Sequence, residues 1–190
     1  MGWAIAIAAA AAGAQPAAAD PAVERLVALY DEVCLKAFPD DAAVDALMAA
    51  KGATALTPEE VRVTFRDDPG RGWLLQDHGH NVQIMLELPP YHACSVRRWT
   101  TAGFGDLSAY RAVTEPFKAT RPGFAPVDEQ QADIDGYHVH MSGELRELPD
   151  GGAETLYLFD QEYLDRARAA ATDAPFNIRF VHQIVSPDAK

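Results

Sequence analysis

Histidines are the residues of this chain with the most obvious chemistry, and two of its six fall in a register that a metal site could use. Tyr137-His138-Val139-His140-Met141 alternates polar and apolar, so a strand here sends both imidazoles to one side and Val139 and Met141 to the other. Asp135-Gly136, just before it, is a two-residue hairpin signal, because both central positions of a type I′ turn need positive φ. That turn pairs Ile134 with Tyr137, Asp133 with His138 and Gln131 with His140. A second turn at Pro149-Asp150-Gly151-Gly152 is expected to set Glu144 opposite Tyr157 and Arg146 opposite Thr155. One face then gathers His138, His140, Asp133, Glu144 and Tyr157, and two imidazoles with a carboxylate suit zinc or copper. The competing reading is a solvated polar face with a cross-strand Asp–His pair and no cofactor. Slipping this register by one residue would bury both imidazoles and expose Tyr137, Val139 and Met141. His138 and His140 are therefore expected to be more exposed than Val139 and Met141. His182 differs, because it lies between Phe180 and Ile184 on an apolar phase, where a buried, hydrogen-bonded ring is expected. His78-Gly79-His80 reads as a turn.

Cys34 and Cys94 are the second pair with chemistry. Two cysteines are too few for a disulfide scaffold or a four-cysteine zinc module. Both sit in phase with apolar neighbours, Cys34 one helical turn from Tyr30 and Phe38, Cys94 alternating to Val96. In an oxidising compartment they are expected to pair and pin the N-terminal helix to the sheet; otherwise they are two buried thiols. The compartment is argued from the first residues. Trp3 to Ala12 is an apolar run of the length of a signal-peptide core, and Ala17-Ala18-Ala19 before Asp20 is an A-x-A cleavage site. Residues 1–19 carry no charged side chain and read as a signal peptide, leaving 20–190 as a single domain. The run is too short for a membrane span.

The elements that must position these residues follow from periodicity. Val23, Leu26, Val27, Tyr30, Val33, Cys34 and Phe38 predict one amphipathic helix from Pro21 to Phe38, capped by Asp20. Asp40 caps a second helix that Gly52 ends, and Thr57-Pro58-Glu59-Glu60 opens a third with a capping box. Strands are expected around Trp73-Leu74-Leu75, from Val82 to Leu88, and from His92 to Thr100. Asp106 to about Thr114 reads as a helix interrupted near Pro116, and Gln161 to Ala171 as another. Between those helices Val127 to Phe159 forms a three-stranded meander, and Phe176 to Val185 is a closing strand. The fold class is α+β: a mainly antiparallel sheet of about six strands, packed by N-terminal helices and one or two further helices.

Leu29-Tyr30-Asp31-Glu32-Val33-Cys34, then Phe38-Pro39-Asp40, then a Gly-Trp strand start and a second cysteine at Cys94, resembles small exported proteobacterial proteins of unknown function. The resemblance covers about residues 23–100. It implies a secreted or periplasmic domain with one helix-to-sheet disulfide, and it carries no activity or site residues.

Composition narrows the function classes. Twenty-eight acidic against sixteen basic residues give a net charge of −12, which repels phosphate backbones and argues against nucleic acid as a partner. The G-x-S-x-G elbow, P-loop, H-E-x-x-H, C-x-x-C and Rossmann glycine patterns are absent. The expectation is an acidic, exported, non-enzymatic domain that binds a protein partner or small ligand. Its rival is a metal-binding protein or metal-dependent enzyme using the His138/His140 face.

Overall fold

Val23, Leu26, Val27 and Tyr30 form the buried stripe of α1 (Pro21–Tyr30), and the chain then continues as a π-helical turn over Asp31–Ala37. The expected single helix to Phe38 is corrected here, for a packing reason. Val33, Cys34 and Leu35 are three successive buried residues, which an α-helix with one apolar stripe does not supply. The wider π winding turns all three inward, and the Phe38 N–H donates to the Val33 carbonyl at 2.9 Å. This computed structural model describes residues 21–101, 106–172 and 174–189; the expected signal peptide at 1–19 and the expected cap Asp20 lie outside the described residues.

Asp40 caps α2 (Asp41–Ala50) by accepting from the Ala42 and Ala43 amides. Thr57 and Glu60 close a reciprocal capping box on α3 (Pro58–Phe65), which follows the short strand β1 (Thr54–Ala55). Three antiparallel strands come next: β2 (Gly70–Asp77), β3 (His80–Glu87) and β4 (Ala93–Thr100). After α4 (Ser108–Ala119) come β5 (Ala125–Pro126), β6 (Gln130–Ile134), β7 (Tyr137–Glu147) and β8 (Ala153–Tyr163), then α5 (Arg166–Ala170) and β9 (Phe176–Val185).

The fold is α+β, with a sheet in the order β1-β2-β3-β4-β9-β8-β7-β5 and β6 beside β7, every pairing antiparallel. The described residues hold nine strands, not about six. Two of them, β1 and β5, are two residues long and leave no alternation to read. They also hold five α-helices, and two expectations about these change. α4 runs through Pro116 to Ala119, because Phe117 is buried in its last turn and Lys118 is tied to Glu144. The expected helix from Gln161 is strand as far as Tyr163, since β8 stays paired with Tyr137 and Val139 of β7. α5 is one short turn capped by Asp165.

Register settles which side chains share a face. Trp73, Ile84, Val96, Phe180 and Leu158 lie on the inner face, against α1, the π turn, α2 and α4. Tyr30, Val33, Val44 and Met48 are fully enclosed there. Burying side chains of this size contributes about 1.5–3 kcal/mol each, so this layer carries most of the stability. Cys34 on the π turn and Cys94 on β4 are joined by a disulfide across it, with Cα atoms 5.3 Å apart. Gly72, Met85, Ser95, Val181 and Tyr157 lie on the outer face. Among the described residues α3 covers part of it, packing Val61 and Phe65 on Met85. Gly70 and Gly72 allow that approach: a Cβ would meet the Phe65 ring at 2.4 Å and Met85 Sδ at 2.5 Å.

Candidate functional site

The inner face neutralises its charges locally. Asp77 on β2 receives Arg25 of α1 at 3.0 Å and Arg98 of β4 at 3.2 Å. Buried His182 donates from Nδ1 to the Cys34 carbonyl at 2.6 Å and meets Glu154 Oε1 through Nε2 at 2.8 Å. Arg146 bonds the other oxygen of Glu154, and Phe38 and Phe117 stand edge-on to the His182 ring at 4.9 and 5.1 Å. Both ring nitrogens of His182 thus face oxygen atoms, the Cys34 carbonyl on one side and the Glu154 carboxyl on the other. Burial alone would raise the Glu154 carboxyl; bonding and charge from His182, then from Arg146, outweigh it and hold the group below its ordinary value. Each of these basic side chains thus has a carboxylate partner, although Arg98 Nε is enclosed without a hydrogen-bond partner among the described residues.

The histidine pair falls in the expected register, with Asp133 opposite His138 and Gln131 opposite His140. Asp135 and Gly136 take φ of 52° and 85°, the turn that their types demand. His138 is exposed and Val139 is buried, His140 and Met141 are intermediate, and His182 is 1% exposed. The carboxylates do not converge on the pair. Asp133 Oδ1 bonds His138 Nδ1 at 2.8 Å, while His140 Nε2 lies 3.4 Å from Glu129 without hydrogen-bond geometry. Glu144 is taken by Lys118 of α4 at 2.5 Å. The second hairpin shifts the expected pairing by one residue, to Glu144 with Leu156 and Arg146 with Glu154. Its loop is Pro149-Asp150-Gly151, closed by the Leu148 N–H on the Gly152 carbonyl, with Gly151 at φ 86°. Tyr157 therefore leaves the histidine face for the outer one. Among the described residues, no three His, Cys, Asp or Glu side chains come together as a metal-holding group.

The outer face is built differently. β4 and β9 pair so that Arg97 lies directly opposite Arg179, two like charges in one cross-strand position. Among the described residues neither has a carboxylate within 4 Å, although the chain carries twelve more acidic than basic side chains. Arg97 donates from Nε to Gln83 Oε1, and Arg179 lies 5.7 Å from the centre of the Phe159 ring. Arg179 Nε, Ser95 Oγ and Asn177 Oδ1 are enclosed and without a hydrogen-bond partner among the described residues. Burial, then the neighbouring Arg97, pushes Arg179 down to about 10, with Glu87 pulling weakly the other way. Burial lowers Arg97 as well.

Beside this pair runs a groove of about 340 Å³. Its floor is Leu74, Gln83, Arg97 and Asn177 from β2, β3, β4 and β9; Glu60, Val63 and Thr64 of α3 form one wall and Trp99 the other. Trp99 is stacked on Tyr163 at 5.2 Å and 9°, with Tyr137 against both, so it is held from behind while 37% of its surface stays open. Val63 is 81% exposed at the rim.

Comparison with family profiles, curated proteins and solved structures finds no match to this chain. The groove residues did not stand out from the sequence because no motif marks them. The available signal was Arg97 in mid-strand, sharing its phase with Ser95 and Trp99, in an acidic chain.

Proposed function

We propose that this chain is an exported, non-enzymatic domain that binds a small ligand in the outer-face groove between α3 and Trp99. The observation that carries the reading is Asn177: a 2% exposed residue in the groove floor, its Oδ1 without a partner among the described residues. A buried polar atom of this kind costs about 1–3 kcal/mol, a penalty that a bound ligand removes. Trp99, Val63 and Leu74 give the groove a flat apolar lining that suits a ring-sized molecule. His138 and His140 each have a separate acidic neighbour, so the groove supports the small-ligand reading better than the histidine face supports zinc or copper. Export to the periplasm or beyond is supported by the Cys34–Cys94 disulfide and the cleavage-site pattern ahead of Asp20. Among the described residues, no helix is long and apolar enough to cross a membrane. The resemblance to small exported proteobacterial proteins is part of the same proposal.

Titrating the protein with the neutral aromatic 2-naphthol, followed by NMR, tests the site. Signals of the Trp99 indole and of the Gln83 and Asn177 side-chain amides should move together and saturate. Shifts confined to other parts of the molecule would place binding elsewhere and end the reading.

A further inference from the structure

The groove leaves one feature unused by a neutral ligand: Arg97 on its floor, with Arg179 directly opposite it on the neighbouring strand β9. Resting on the small-ligand reading, we infer that the ligand is an organic acid: a carboxylate held by Arg97 and Arg179 on a flat apolar body lying against Trp99. Three observations converge on this chemistry.

The first is the absence of a neutralising partner where partners abound. Inner-face Arg98 and Arg146 are each paired with a carboxylate, and so is Arg71 with Asp45 at 2.7 Å. Arg97 and Arg179, half-buried and facing each other across two strands, are not so paired among the described residues. Like charges set directly opposite in a sheet repel, and an anion between them turns that repulsion into two charge-assisted contacts.

The second is the donor set. Gln83 holds Arg97 through Nε, which leaves its two terminal nitrogens without a protein partner among the described residues. Arg179 Nε is enclosed and unpartnered, and the buried Ser95 hydroxyl lies two residues before Arg97 on the same face of β4. The Glu60 carboxylate on the α3 wall is engaged through Oε2 by Thr57, so the guanidinium of Arg97, with Arg179 behind it, is the group left to select an oxyanion. A bidentate carboxylate fits the planar guanidinium fork, and Asn177 remains to meet a hydroxyl or amine elsewhere on the ligand.

The third is the wall. Trp99 stands two residues after Arg97 on the same face of β4, stacked on Tyr163, with exposed Val63 across the groove on α3. A simple inorganic anion has no use for that surface. A ring or short apolar body bearing the acid covers it, and removing that area from water adds about 25 cal/mol per Å² to the binding.

Affinities of the full mature chain for 2-naphthoate, for 2-naphthol and for inorganic phosphate, measured by calorimetry, test the inference. 2-Naphthoate should bind at least about tenfold more tightly than 2-naphthol, the equivalent of one charge-assisted hydrogen bond. Phosphate should compete only weakly. Arg97→Met and Arg179→Met should each bring the affinities for naphthoate and naphthol to about the same value, with an unchanged near-UV circular dichroism spectrum showing that the variants are folded. Arg97→Lys, which keeps the charge without the fork, should retain part of the advantage of naphthoate. Equal affinity for naphthoate and naphthol would overturn the organic-acid assignment while the small-ligand reading stands. Phosphate binding as tightly as naphthoate would overturn the requirement for an apolar body. Binding of none of the three would remove both the inference and the reading beneath it.

Discussion

The two faces of this sheet use the same residue types to opposite ends. On the inner face, Arg98, Arg146 and His182 are covered by helices or neighbouring strands, and each is matched to a carboxylate. On the outer face, Arg97 and Arg179 occupy adjacent positions of the same strands, one residue away from Arg98 and Phe180, and among the described residues neither is matched to a carboxylate. Burial makes charge expensive unless it is paired, so a covered face keeps its ions as closed sets. A face left open beside a groove can keep a charge unpaired when something outside the chain completes it. The contrast teaches that pairing, rather than the presence of charge, separates the structural ions of this protein from the candidate functional ones.

The largest test of the inner face is the disulfide. Closing a loop of 60 residues restricts the unfolded chain by about 4 kcal/mol in the chain-entropy description. Urea denaturation of the Cys34→Ala/Cys94→Ala double variant should show a loss of that order. Two titratable thiols in denatured protein isolated without reductant would remove the bridge from the account.

Next comes Glu154. Glu154→Gln leaves His182 and the Arg146 guanidinium against a neutral amide, and breaking a buried ionic set costs about 3–5 kcal/mol. A Glu154→Gln protein within 1 kcal/mol (about the scatter of surface substitutions) of the parent would show that the triad is not closed as described. The same group sets a pH signature. Its carboxyl titrates lower in the folded chain than in the unfolded one, so its contribution is complete above the ordinary glutamate range. It is lost as pH falls through the lowered folded value, because the unfolded state takes up the proton first. The urea midpoint of the parent should therefore drop on acidification below the ordinary range, and Glu154→Gln should flatten that limb. An equally steep acid limb in both proteins would assign it to other carboxylates.

How much of this was legible in the sequence divides along the same line. Apolar phase carries information about the inner face: Tyr30, Cys34, Cys94, Phe180 and His182 announce their burial by spacing, and Asp135-Gly136 announces the β6–β7 register. The second hairpin was misread by one residue because a Pro-Asp-Gly-Gly run fits both a four-residue and a three-residue loop, and hydrogen bonding at Leu148 and Gly152 selects the shorter. That single residue moved Tyr157 to the outer face. The helix expected from Gln161 failed because edge pairing with β7 outweighs local propensity. The groove was illegible for a deeper reason. It arises where α3 folds over Gly70 and Gly72, and where β4 meets β9 from eighty residues away in the chain, so that Arg97 finds Arg179. No local pattern encodes that meeting.

The smallest expected effect is also the most direct test, because it depends on sign. Arg98→Met and Arg179→Met make the same change on neighbouring strands of the same sheet, one on each face, and their urea midpoints can be compared in parallel. Arg98→Met removes from half-buried Asp77 its enclosed partner, leaving half-open Arg25 and the more distant His78, and should lower stability by about 2 kcal/mol. Arg179→Met keeps the apolar stem, removes a like-charge pair, and should leave stability unchanged or raise it by up to about 1 kcal/mol. Opposite signs are the result that this account predicts for the ligand-free protein. A loss at Arg179→Met equal to that at Arg98→Met would contradict it, making the outer arginines structural ions like those on the inner face.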